Sequence, residues 1–141
     1  MDLLTFHFDN VNWTAIVVAA LASYAVGGIW YSKPFLGERW MKLIGQKNKK
    51  MKANDMSVSL GLSGVLALVM ATSLATLMGA LDFDTWQQGA FLGMLVALVF
   101  VSANRGVHSL FEKRGGLELF IINVGHDLVY FALAGATIGA F

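Results

Sequence analysis

Charge is absent from most of this chain, and the places where it is absent decide what the chain can become. Asp9 to Lys33, Asp55 to Asp82 and Asp84 to Arg105 each enclose about 20 or more residues without a charge, enough to cross the hydrocarbon core of a bilayer as a helix. A fourth apolar stretch, Leu117 to Phe141, is interrupted once, by His126 and Asp127. The implied fold class is all-α: a polytopic membrane protein built as a four-transmembrane-helix bundle, with spans near residues 12–31, 56–81, 86–111 and 117–141. Hydrophobic residues make up 57% of the chain and charged residues 13%, far from the mix of a soluble domain. Four such helices use more than half of 141 residues, so a single membrane domain over residues 1–141 is expected.

The charges that remain are sorted by loop. All ten Lys and Arg residues lie between Lys33 and Lys52 or between Arg105 and Arg114, whereas the middle loop carries Asp82 and Asp84 and no base. Short basic loops stay on the cytoplasmic side, so loops one and three are expected inside and both termini outside. The first ten residues hold no Lys or Arg to form the positive region of a cleaved signal. The first span is therefore expected to remain as an anchor. Trp13 at one of its ends and Trp30 with Tyr31 at the other are separated by roughly 26 Å of helix, which suits the two aromatic belts of a membrane.

Loop one is more than a linker. Pro34, the only proline, and Gly37 end the first helix. Glu38 to Gly45 then sets Trp40, Met41, Leu43 and Ile44 beside Arg39 and Lys42, the pattern of a short helix lying in the interface. Lys47, Lys49, Lys50 and Lys52 follow. They set topology, and they also offer a place for anionic lipid headgroups, each base contributing about 1 kcal/mol near the surface.

In lipid, helices associate through close packing of small residues. Span two has Ser59, Ser63, Ala67, Ala71, Ala75 and Gly79 at every fourth position; span one has Ala15, Ala19, Ser23 and Gly27; span three has Gly89, Gly93 and Ala97. Span four carries two special faces. Asn123, His126, Asp127 and Tyr130 fall within an arc of about 100°, and Gly125, Ala132, Gly135, Ala136 and Gly139 lie opposite. Such a helix is either central or packs by one face against a second protomer, and a homo-oligomer is expected.

Asp127 lies near mid-membrane, where a carboxylate costs about 2.5–3.5 kcal/mol on insertion scales. It has to find a cation or take up a proton. Span three offers the partner, with Asn104, Arg105 and His108 on the face that continues into Ala97 and Gly93. Arg105 is shallower than Asp127, but its long side chain closes much of that gap. The candidate site is thus a buried polar cluster of Asn104, Arg105, His108, Asn123, His126, Asp127 and Tyr130. Two readings fit it. Ionisable groups inside a membrane mark ion, proton or solute paths by default, or the cluster is a lock that fixes span three against span four in a structural or accessory subunit. His126 and Asp127 are not expected to pair through their adjacency, since neighbours on a helix point about 100° apart. With no Cys, no H-E-x-x-H, no G-x-S-x-G and no P-loop, no catalytic residue, metal, cofactor or nucleic-acid partner is expected.

Two blocks of sequence carry a resemblance. Asn12-Trp13, Gly27-Gly28-x-Trp30-Tyr31-Ser32, Phe35, Gly37, Trp40-Met41 and Gly45 resemble the opening block of the domain-of-unknown-function family 1761. Phe111-Glu112-x-Arg114 and Leu119-Phe120-x-Ile122-Asn123-x-Gly125 resemble its closing block. The resemblance implies a small four-helix protein of the bacterial inner membrane and lends no activity. It supports Asn123 directly, whereas the family more often has an aromatic residue where His126 stands. The four-helix multidrug transporters are similar in size only: they place an essential Glu in the first span, and this chain has no acid between Asp9 and Lys33.

Overall fold

A computed structural model describes residues 11–46, 53–112 and 115–141. In chain order it holds α1 (Trp13–Trp30), α2 (Gly37–Leu43), α3 (Ala53–Ala80), α4 (Trp86–Val96), a π-helical turn (Ala97–Ser102), α5 (Ala103–Glu112) and α6 (Gly116–Ala140). Among the described residues there is no strand. Four helices are long and apolar enough to cross a membrane: Trp13–Trp30, Asn54–Ala80, Trp86–Phe111 and Gly116–Ala140. They match the four spans expected from the sequence to within two residues at each end, and α2 matches the short interfacial helix. The Lys47 to Lys52 run falls outside the described residues, as do Lys113 and Arg114.

The helix ends follow from local chemistry. Asn12 caps α1 by accepting a hydrogen bond from the Ala15 amide at 3.1 Å, and Thr85 with Gln88 forms a capping box at the start of α4, the usual way to satisfy first-turn donors. After α1 the chain folds back so tightly that the Gly37 amide donates to the Ser32 carbonyl at 2.9 Å. A Cβ at Gly37 would lie 2.7 Å from that same carbonyl oxygen, so only glycine fits there.

The core is small and made of helix faces: Ile16, Ala19 and Ala20 from α1, Ala67, Ala71, Leu74 and Met78 from α3, Leu92 and Ala97 from span three, and Tyr130, Phe131 and Ala134 from α6. Large apolar side chains such as Leu21, Leu62, Phe91, Phe100 and Leu133 point outward, as lipid-facing positions do. Helix α6 touches every other helix. Its small-residue face is consumed within the chain, because Gly135 meets Gly89 backbone to backbone, Gly139 meets Thr85, and Gly93 of α4 meets the Phe131 backbone. Of the two arrangements open to span four, the structure takes the central one.

The small series of spans one and three are buried, Ala15, Ala19 and Ser23 on one and Gly89, Gly93 and Ala97 on the other. The six-member series of span two is buried only at Ala67 and Ala71, while Ser59, Ser63 and Gly79 are exposed. The reason is geometric. Steps of four residues drift by about 40° each, so six members sweep about 200° of the helix. The face that packs instead follows Ala67, Ala71, Leu74 and Met78.

A π turn interrupts span three just before Arg105. The Ser102 hydroxyl donates back to the Ala97 carbonyl at 2.8 Å, five residues away. A π turn takes in an extra residue, so the buried line of Gly89, Gly93 and Ala97 resumes at Ser102, not at position 101. Everything beyond is rotated by one residue's worth of angle. This corrects the face expected from ideal α-helical spacing: Asn104 and His108 are exposed, whereas Arg105, Gly106 and Ser109 are partly buried.

Candidate functional site

Helix α6 supplies the buried side of the cluster because Asn123, His126, Asp127 and Tyr130 recur at three- and four-residue spacing on one face. Asp127 has a side chain only 10% exposed. Arg105 reaches it from α5 with both Nε and Nη2 at 3.0 Å from the same oxygen, Oδ2. The other oxygen, Oδ1, accepts from Nδ1 of His126 at 3.0 Å. The expectation that adjacency keeps His126 and Asp127 apart is therefore corrected. Their Cα–Cβ bonds diverge, but Nδ1 is the ring nitrogen nearest the backbone, and side-chain torsions swing it back onto the neighbouring carboxylate. A bond to that carboxylate places a proton on Nδ1. The result is a continuous polar line, Arg105 to Asp127 to His126, running from half-exposed to buried.

Span one encloses the inner end of that line, a contribution absent from the sequence-based cluster. The His126 ring lies 5.0 Å from Tyr31, 5.7 Å from Tyr130 and 6.2 Å from Trp30, centroid to centroid. Trp30 Nε1 donates to the Ile122 carbonyl at 3.1 Å, the Tyr31 hydroxyl donates to Asn123 Oδ1 at 3.1 Å, and Ser23 donates to the Tyr130 carbonyl at 3.2 Å. Gly27 gives the ring room: a Cβ there would stand 3.4 Å from His126 Nε2. Gly125 does the same for Trp30, whose ring would be 3.0 Å from a Cβ. The signal that links these residues was present in the sequence, since Trp30 and Tyr31 belong to one family-like block and Asn123 and Gly125 to the other. The two blocks meet in space. Trp30 and Tyr31 were expected in an aromatic belt, and their polar atoms turn inward onto α6.

His126 Nε2 and the Tyr130 hydroxyl are buried and have no hydrogen-bond partner among the described residues. Around the outside, α2 is fastened to the same region. Trp40 packs on Tyr31 with centroids 4.9 Å apart, and the Arg39 guanidinium pairs with Glu118 on the first turn of α6.

Toward the end of α5 the cluster opens. A groove of about 700 Å³ lies between α5 and α6, with Asn104, Arg105, His108, Ser109 and Asn123 as its polar lining and Phe100, Val101, Leu119 and Phe120 among its apolar walls. It stops at Arg105 and Asn123; Asp127, His126 and Tyr130 lie behind them. The seven residues expected from the sequence thus fall into two groups joined by Arg105 and Asn123. Asn123, His126, Asp127 and Tyr130 form an inner set with Arg105. Asn104 and His108 instead form the groove's rim. Among the described residues, no three His, Asp or Glu side chains come close enough to hold a metal ion.

A family model described as "Protein of unknown function (DUF1761)" matches residues 14–139, nearly the whole chain. No curated protein and no solved structure matches it.

Proposed function

The chain belongs to the DUF1761 family, and from that premise we propose that it binds or passes a small solute or ion where Arg105 meets the groove between α5 and α6. In this reading it sits in the bacterial inner membrane with both termini outside and the basic loops in the cytoplasm. One observation carries the proposal. The Arg105 side chain is 40% exposed while its partner Asp127 is 10% exposed, so a single guanidinium is shared between a buried carboxylate and an open, donor-lined groove. A ligand that competes for that guanidinium would loosen or tighten the line from Asp127 to His126, which links occupancy of the groove to the interior of the bundle.

The fully occupied carboxylate favours a second reading. Both oxygens of Asp127 have partners, as expected of a lock in a structural or accessory subunit. Asp127→Asn separates the two, because the amide is neutral and nearly the same size. The binding reading expects a folded D127N protein that loses a ligand- or pH-dependent response seen for the wild type in reconstituted vesicles. The lock reading expects D127N and R105A to be equally unstable and the wild type to show no response. For a homo-oligomer, α6 is already covered, so a second copy would have to use another face, such as the uncovered Ser59, Ser63 and Gly79 side of α3.

A further inference from the structure

We propose that the groove is a site for an anionic amphiphile, its carboxylate or phosphate head held by Arg105, His108 and Asn123 and its apolar chain lying along Phe100, Leu119 and Phe120. This rests on the reading of the groove as a binding site and names the class of ligand.

The charge of the lining gives the sign of the ligand. No carboxylate lines the groove, and the nearest buried acid, Asp127, turns both oxygens inward to Arg105 and His126. Glu118 is held away by Arg39. What faces the opening is a set of donors. Arg105 spends Nε and Nη2 on Asp127 and keeps its remaining N–H groups for another acceptor, since a guanidinium has five. Asn123 accepts from Tyr31 through Oδ1, which directs its amide N–H groups elsewhere. Gly116 brings the start of the 25-residue helix α6 to the same lining, and its cap, Gly115, has no side chain to satisfy first-turn N–H groups. Every one of these favours negative charge.

Size and depth point to the apolar chain. A volume of about 700 Å³ falls in the range of sites for drug-sized molecules, about 300–1,000 Å³, and far exceeds one bare ion. Arg105 lies six residues before Phe111 at the end of the third span, so roughly 9 Å inside that end. A head that reaches this depth from the membrane brings an apolar body with it, and three aromatic or aliphatic walls are there to receive it.

The test uses the full chain in an uncharged detergent and reads the thermal midpoint. Dodecyl phosphate should raise it by roughly 5–10 °C near saturation, and dodecanol and inorganic phosphate, each lacking one half of the ligand, should not. Arg105→Gln combined with Asp127→Asn removes both charges without leaving one buried alone, and should abolish the dodecyl phosphate shift. His108→Ala, on an exposed rim residue, should weaken apparent affinity about tenfold with the unliganded midpoint unchanged. Vesicle lipid is distinguished from a free amphiphile by adding phosphatidylglycerol: a phosphatidylglycerol shift that dodecyl phosphate cannot exceed identifies a lipid headgroup, and the reverse identifies a free acid. Stabilisation by a cation or a neutral solute, lost in D127N, would overturn the anionic ligand while leaving a binding site at the cluster intact. Equal shifts with dodecanol and dodecyl phosphate would also overturn it. No shift with any probe would sink both readings.

Discussion

The tightest contact in the molecule is between backbones, and it makes a sharp prediction. A Cβ placed on Gly89 would stand 2.6 Å from the carbonyl carbon of Gly135, and one on Gly93 would stand 2.6 Å from that of Phe131. Ordinary contact begins near 3.4 Å, so Gly89→Ala must push α4 and α6 apart by about 0.8 Å, a gap that forfeits a quarter to a half of each dispersion contact along the seam. No flexible side chain can absorb the change, because the atoms met are main chain. Overpacking of this kind costs about 1–3 kcal/mol, against which the better helix propensity of alanine returns about 1. A net loss of about 1–2 kcal/mol and a fall of roughly 3–6 °C in the thermal midpoint in detergent are expected. The control is Gly79→Ala, where nothing lies within 4 Å of the added carbon, and it should be neutral or slightly stabilising. The double variant G89A/G135A should cost less than the sum of its parts, since both strain one contact. A G89A protein that melts with the wild type would show that the two helices do not approach as closely as described.

Arg105→Ala should be more damaging than Asp127→Ala, at about 3 kcal/mol against about 1, since the first strands a buried carboxylate and the second leaves a half-exposed guanidinium free to turn into the groove; denaturation of both singles and the double gives the coupling, and equal costs would contradict the asymmetry. Tyr31→Phe removes one hydrogen bond to Asn123 and should lower stability by about 1 kcal/mol, measurable as a midpoint shift without change of fold. Ala71→Leu should disrupt span two, at about 1–3 kcal/mol, because Ala71 is 2% exposed, while Ser59→Leu on the exposed turn should be tolerated; comparison of their melting curves checks which part of the stripe packs.

The spans were readable because lipid exposure acts residue by residue: a run without charge has only one way to be housed. The pairing of Arg105 with Asp127 was readable for a related reason, as a charge inside a membrane has few partners to choose from. Other features leave no mark of that kind. The π turn at Ala97–Ser102 is built from residues that suit an α-helix equally well, so the rotation of Asn104 and His108 outward was invisible. A small residue at every fourth position looks the same whether it meets a helix or lipid, hence the misreading of Ser59, Ser63 and Gly79. Trp30 and Tyr31 serve an interfacial belt and an inward hydrogen bond with the same side chains, and only the fold shows which polar atoms they engage. The bond between His126 and Asp127 depends on rotamers, to which spacing rules are blind.

The surplus residue in span three makes the ion pair a matter of chain length as well as of residue identity. Deleting one residue between Ala97 and Ser102 would restore ordinary winding and leave every charged side chain in the protein present. Arg105 would nevertheless turn by about 100° away from Asp127, and Asn104 and His108 would swing toward the interior. The membrane would still be crossed, since the helix has length to spare, but a guanidinium would face lipid and a carboxylate would lose its cation. Tolerance to insertion and deletion, ordinarily a property of loops, is therefore withdrawn from six residues in the middle of a transmembrane helix.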